Sequence, residues 1–399
     1  MIAMDGVLPA GFRGARAAGS QTAVPCLLMR GGTSRGLFFD ARVLPGNDAA
    51  RDAVLLSAMG SPDPRQIDGL GGAHPLTSKV GVVAPGVDGV DLEWTFAQLQ
   101  PDSEVVDTTP NCGNMLAAVL PFALETGMLA PQGETTTARV RTANTGAVAD
   151  ITVRTPLGPD GRRDVEYAGD ARIDGVPGTA SAVEIAFLDT AGSVAGSLLP
   201  TANVRDTVTV PGLGDVEVTL IDNGQPLVVV AATQLDARGD ESPAEIDADD
   251  SLKDRVERLR LVCGEAMGLG DVTARNYPKM TLVAPPTHGG TIATRSLIPH
   301  VAHQSIGVLA AVTVATACVL PGSVAHDVAE LAPRDADGDV HVSVEHPSGE
   351  FTVSLGLDGD DPPTVVRSAL LRTARLLMSG EVLVPRTVWD PTNEKETTA

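Results

Sequence analysis

The chain has 399 residues, long enough for two ordinary domains, and carries 51 acidic against 29 basic residues for a formal charge of -22. So acidic a surface argues against nucleic acid and anionic membrane as partners, and leaves room for an anionic small molecule only where basic groups are gathered locally. Four cysteines, at 26, 112, 263 and 318, form no CxxC pair and no ligand spacing with the seven histidines, so neither a metal site nor a disulfide framework is indicated and a reducing cytoplasm fits.

Residues 1–22 lack a continuous apolar core and read as a disordered extension rather than a signal peptide. A short apolar strand at 23–29 then runs into Arg30-Gly31-Gly32-Thr33-Ser34-Arg35-Gly36 and a second apolar segment at 37–39. The two glycines let backbone approach a ligand, Thr33 and Ser34 supply hydroxyls, and the arginines can hold carboxylates in bidentate fashion. The Walker spacing is absent, and a plain hairpin turn would read the same way. Helical spacing covers 48–59, followed by the turn-rich Gly60-Ser61-Pro62-Asp63-Pro64-Arg65-Gln66 and a glycine-rich segment without dinucleotide-binding spacing. Strands are expected at 80–84, 91–98 and 105–107.

Next, Pro110-Asn111-Cys112-Gly113-Asn114-Met115 opens a run, 115–124, with almost no polar position, as in a helix enclosed on all sides, and Gly127 stops it. Cys112 is placed at the first turn, where free N–H groups favour an anion and lower a thiol pKa. A small apolar residue filling a helix start would look alike. Strands at 138–142, 147–155 and 182–187 complete a sheet wrapped around that helix.

The Gly, Ser and Pro content of 192–200 marks the crossing into a second unit that repeats the scheme. Strands at 206–210, 216–221 and 227–231 precede an amphipathic helix at 251–267 and strands at 280–284 and 291–298. His300-Val301-Ala302-His303-Gln304-Ser305 leads into a second apolar run, 306–320, too short to span a membrane and ended by Pro321-Gly322. If the halves are related by an internal pseudo-twofold, Ser305 or His303 holds the place of Cys112. Strands at 340–344 and 350–355, a helix at 363–378 and a strand at 382–384 follow. The expected domains are thus 23–196 and 197–385, with 386–399 as a tail.

Only four of the 29 basic residues are lysines, at 79, 253, 279 and 395. Where coding has replaced Lys by Arg, a remaining Lys can be one that Arg cannot replace, because a lysine made neutral by burial acts as a base and an arginine does not. Lys253 and Lys395 lie in charged or polar surroundings. Lys79 and Lys279 lie among apolar strand residues; each would also suit a strand position whose amine snorkels to water.

Taken together, Met29-Arg30-Gly31-Gly32-Thr33-Ser34, the stretch Gly60-Ser61-Pro62-Asp63-Pro64-Arg65-Gln66-Ile67-Asp68-Gly69-Leu70-Gly71-Gly72, Leu76-Thr77-Ser78-Lys79-Val80 and Pro110-Asn111-Cys112-Gly113-Asn114-Met115 resemble the PrpF family. That group comprises methylaconitate isomerases, oxalomesaconate tautomerases and methylitaconate isomerases. The resemblance covers the chain after about Thr22. It implies an α+β, diaminopimelate epimerase-like fold of two similar domains, each a β-sheet wrapped around a central apolar helix, with the active site in the cleft between them. It also implies an isomerase that needs no cofactor or metal and acts on a small anionic carboxylate. The family's lysine and cysteine carry over onto Lys79 and Cys112, its anion-binding loop onto Thr33 and Ser34, and its helix-start positions onto Asn111, Gly113 and Asn114. Two departures, Arg35 where relatives often have Lys and His74 where an Asp is common, bear on the substrate.

The chemistry suits such residues. A carbon acid flanked by carboxylates loses a proton to give a dienolate, and reprotonation elsewhere moves or reconfigures the double bond, which requires a base, an acid and donors for the growing charge. Lys79 is expected as base, with Cys112 as its partner; Arg30, Lys279, His303 and Ser305 are further candidates for the carboxylates. An amino-acid epimerase, or a protein that only holds a tricarboxylate, are the competing readings. The expected partners are the substrate and, at most, a second copy of the chain.

Overall fold

The computed structural model describes residues 14–188, 190–335, 338–359 and 364–393. Residues 1–13 of the expected extension and 394–399 of the tail lie outside them. Within the extension, residues 14–22 are ordered by pairing: β1 (Arg16–Ala18) runs antiparallel to the start of β2 (Gln21–Gly31).

The chain divides into two compact units, Met1–Ile185 with Arg372–Ala399, and Ala186–Leu371. In the first, β2 is followed by β3 (Ser34–Asp40), α1 (Asp48–Met59), β4 (Lys79–Pro85), β5 (Leu92–Leu99), β6 (Val106–Asp107), α2 (Gly113–Leu116), α3 (Val119–Glu125), β7 (Thr135–Thr142), β8 (Val148–Arg154) and β9 (Ala182–Phe187). The β2–β3 hairpin is antiparallel, β3–β4 parallel, β4–β5 antiparallel, β5–β7 parallel and β7–β8 antiparallel. Residues 115–120 of the helical segment are fully buried, and α2 and α3 together touch β2, β3, β4 and β8, so the sheet does wrap around them.

The expected single helix at 115–124 is two. Pro121 lacks the N–H that would bond to Ala117 and its ring crowds that carbonyl, so the chain breaks at Ala117–Ala118 and restarts with the proline in the first turn of α3. Gly127, at φ +72°, ends the segment as expected.

The second unit contains β10 (Asp206–Val210), β11 (Gly214–Asp222), β12 (Pro226–Ala231), α4 (Pro243–Ala248), α5 (Asp250–Ala266), β13 (Lys279–Ala284), β14 (Ile292–Leu297), α6 (Val308–Cys318), α7 (Val324–Val328), β15 (Val340–His346) and β16 (Gly349–Asp358). From β11 the pairings again run antiparallel, parallel, antiparallel, parallel, antiparallel. All eleven residues of α6 but its first two are buried, and it contacts β11, β12, β15 and β16. The repeat of pattern puts Lys79, first residue of β4, and Lys279, first residue of β13, at matching places.

The expected helix at 363–378 is instead part of one long strand, β17 (Thr364–Pro385). Its Leu, Ala and Arg content favours helix, but both of its halves meet open sheet edges. Residues 364–370 pair with β16, while 374–385 pair with β2 from Gly31 back to Gln21. Pairing outweighs a propensity worth tenths of a kcal/mol per residue. This is also why residues 372–385, placed with the second domain from sequence, belong to the first compact unit; the change-over between the units falls at Ala186. Among the described residues no helix is long and apolar enough to cross a membrane.

Candidate active site

The first unit gathers its polar groups at the opening of α2. The glycines of the β2–β3 turn are required by contact: a Cβ on Gly31 would lie 2.3 Å from the carbonyl oxygen of Asn114, and one on Gly32 would lie 2.2 Å from that residue's side-chain oxygen. Gly32 also adopts φ +50°. The turn therefore sits directly on the first helical turn, and Asn114 Nδ2 donates to Thr33 Oγ1 at 3.0 Å. Arg372, 2% exposed, donates from Nε to Asn114 Oδ1 at 3.2 Å. The carboxamide is thus held at both ends. Ser34, 1% exposed and on the same face as Gly31, has no partner for its Oγ among the described residues.

Cys112 caps α2 without a side-chain bond, and its own N–H donates to Asn111 Oδ1 at 2.8 Å. The N–H groups of Gly113 and Asn114 lie in the first turn, where no intrahelical acceptor exists. Cys112 is half-buried, unlike the other three cysteines. Burial pushes the Cys26 and Cys263 thiols up to about 12 and raises that of Cys318 as well.

Lys79 is 7% exposed and faces the helix side of the sheet, in register with Gly36 and Gln98. Its amine donates to Gln98 Oε1 at 2.7 Å and lies 5.0 Å from the centre of the Phe96 ring. Gln98 cannot turn its amide around, because Nε2 is bound to the carbonyls of Pro75 (3.0 Å) and Ser78 (3.1 Å). The lysine therefore meets a neutral oxygen and a ring. A Cβ on Gly36 would lie 2.0 Å from Lys79 O and 2.9 Å from Met115 Cε, which ties the start of β4 to α2. The long loop before β4 has a matching task. Gln66, 2% exposed, donates to Ser61 Oγ and accepts from Ala73 N–H and Ser78 Oγ–H, so the loop is pinned beside Lys79.

Arg30 is not brought to this group. It alternates with Met29 and Gly31, so its side chain lies on the other face of β2, where Nη1 donates to Gly32 O (2.9 Å), Thr373 O (3.1 Å) and Thr373 Oγ1 (2.9 Å). It supports the turn from behind.

The second unit carries a separate group. Lys279 is half-buried and its pKa is lowered by burial. His303 is lowered by burial and then by the charge of Lys279. His303 Nδ1 accepts from Ser305 N–H at 2.9 Å, which leaves Nε2 as the N–H of the neutral ring. Ser305 Oγ meets His346 Nε2 at 3.3 Å. The residue that caps α6 is neither Ser305 nor His303 but Gly307, and Lys279 Nζ lies 3.9 Å from where a Cβ on it would be. The helix begins two residues later than the apolar run, since Ile306 packs as loop.

Sequence reasoning missed Gln98, Gln66, Arg372 and Gly307. Of these, only Gln66 stood in a motif that could have drawn notice.

The model of the family described as PrpF protein matches residues 21–385. A (4E)-oxalomesaconate Delta-isomerase of Novosphingobium sp. (strain KA1) is 52% identical over 361 residues, covering 90% of this chain and 97% of that protein. A 4-oxalomesaconate tautomerase of Pseudomonas putida is 50% identical over 370 residues, covering 92% and 98%. Among solved structures, a methylitaconate-delta-isomerase matches with a TM-score of 0.77 at 32% identity, over 93% of this chain and 97% of that one.

Proposed function

The chain belongs to the PrpF family and is an isomerase of diaminopimelate epimerase-like α+β fold, and from that premise we propose that it acts on an unsaturated di- or tricarboxylate of the oxalomesaconate, aconitate or itaconate type. Lys79 takes a proton from the carbon acid, the electron pair moves into the conjugated system, and Cys112 gives a proton at another carbon. The double bond moves or changes configuration and no electrons are gained or lost. The N–H groups of Gly113 and Asn114, with the hydroxyl of Ser34, receive the charge that grows on a carboxylate oxygen. Thr33, Asn111 and Arg372 keep that helix start in place, and Arg30 holds the turn from behind. In the second unit, Lys279, with His303 and Ser305 near the open first turn of α6, forms a group suited to a carboxylate. The reaction asks for no metal or organic cofactor, and a cytoplasmic enzyme fits the four unpaired thiols.

The observation that carries this reading is the pairing of Lys79 with a neutral, locked acceptor rather than a carboxylate. An amine meant only to anchor charge does not need an oxygen fixed in orientation. An amino-acid epimerase would want a second thiol at the start of α6, where Gly307 stands; Cys318, at that helix's far end, is fully buried. A protein that only holds the anion needs neither an amine that gives up its proton nor a thiol.

The test follows aconitate, methylaconitate, itaconate-type and oxalomesaconate compounds by NMR in deuterated buffer, with Lys79→Arg beside the wild type. We expect deuterium to enter one of them with the wild type, and Lys79→Arg to bind a saturated tricarboxylate while exchange stays near background. Robust exchange by Lys79→Arg removes the base assignment.

A further inference from the structure

On the face of the first unit's sheet opposite Lys79 and α2, three arginines stand in one row. Arg375 of β17 pairs with Arg30 of β2, and Arg30 pairs with Arg35 of β3. Like charges set directly opposite each other destabilise a sheet. In a chain with 51 acidic residues against 29 basic ones, a carboxylate between them would be easy to supply. Yet among the described residues neither Arg30 nor Arg375 is bound to one. Arg30 spends a single nitrogen, Nη1, on Gly32 and Thr373, and its pKa is lowered by burial and then by Arg375. Tyr167 gives its hydroxyl to Glu125 at 3.0 Å, so that carboxylate is also taken.

Over Arg30 and Arg375 the segment between β8 and β9 forms, with β17, an open-mouthed cavity of about 540 Å³, within the roughly 300–1,000 Å³ of small-molecule sites. Its walls are mostly apolar, from Ile173, Val176, Pro177 and Leu377. Two arginines lining a mostly apolar chamber, both with donors unspent among the described residues, match a compact ligand that carries carboxylates on an apolar body.

We propose that this outer cavity is a second ligand site of the molecule, one that binds a small dicarboxylate between Arg30 and Arg375. The site shares no residue with Lys79, Cys112 or the donors of α2. It stands whether or not the reading of those residues is right, and binding rather than turnover measures it.

The probe is isophthalate, titrated calorimetrically into the whole protein at low ionic strength. The variants are Arg375→Ala, which removes one guanidinium from an exposed position, and Val176→Trp, which fills the chamber and leaves every charge in place. Saturable binding to the wild type, weakened at least tenfold in Arg375→Ala and abolished in Val176→Trp, is the expected result, with Lys79→Met binding as the wild type does. Absence of heat with the wild type overturns the proposal. So does binding that survives both cavity variants and is lost in Lys79→Met, because the ligand then sits with the catalytic residues.

Discussion

Lys79 depends on a residue that no motif reveals. With Gln98 Nε2 held by two carbonyls, its oxygen is always presented to the amine. Changing Gln98 to Glu would put a carboxylate there, pair it with the ammonium and hold the proton on nitrogen. We expect Gln98→Glu to fold and to lose about 10²-fold in turnover at pH 7, the scale of an acid/base contribution, with partial recovery as the pH is raised. A pH–rate profile superimposable on that of the wild type would sever the link between Gln98 and the proposed base. Cys112 makes the second case. Since burial raises the other three thiols, iodoacetamide should label one cysteine in the native enzyme, mass mapping should find it at 112, and labelling should abolish turnover. Cys112→Ser should keep the fold and lose roughly 10²- to 10⁴-fold in rate. Lys79 and Cys112 could be proposed from the sequence because lysine is scarce here and the cysteine opens an apolar run. Gln98 could not, since a polar residue alternating along a strand is what any strand shows. Arg372 was hidden by a wrong element, and Gly307 by Ile306, an apolar residue outside the helix it precedes.

At the scale of elements, most strands and α1 and α5 lie where alternation and helical spacing put them, because each depends on its own stretch of chain. Two do not. The break between α2 and α3 follows from Pro121, which is visible in the sequence but easily passed over in a run otherwise apolar. β17 could not be read locally at all, because its partners lie 343 residues away at Gly31, opposite Ala374, and next to it in β16. Its second half supplies Arg372 to Asn114, backs the turn through Thr373, and buries Ala374, Val382 and Val384. A chain ended after Leu371 should therefore fail in its first unit although residues 14–185 are all present. Circular dichroism and limited proteolysis would show that unit unfolded, and a folded, protease-resistant fragment spanning 14–185 would contradict the account.

For the molecule as a whole, a charge of -22 opposes the approach of any polycarboxylate. Salt shortens the reach of that repulsion, to about 8 Å at 0.15 M. The kcat/KM for a trianionic substrate should accordingly rise between about 10 mM and 150 mM sodium chloride, the reverse of an enzyme steered by attraction; a steady fall would mean that local cations dominate the encounter. The two halves, alike in strand pairing, differ in continuity. Ala186–Leu371 is a single stretch, whereas the first unit is completed by residues 372–385. Synthesis runs from the N-terminus, so the ribosome emits almost all of the first unit early and its closing strand last. The half made second can finish folding while the half made first still shows an open edge along β2. For the time needed to translate nearly two hundred residues, that edge is what a chaperone, or another nascent chain, would meet.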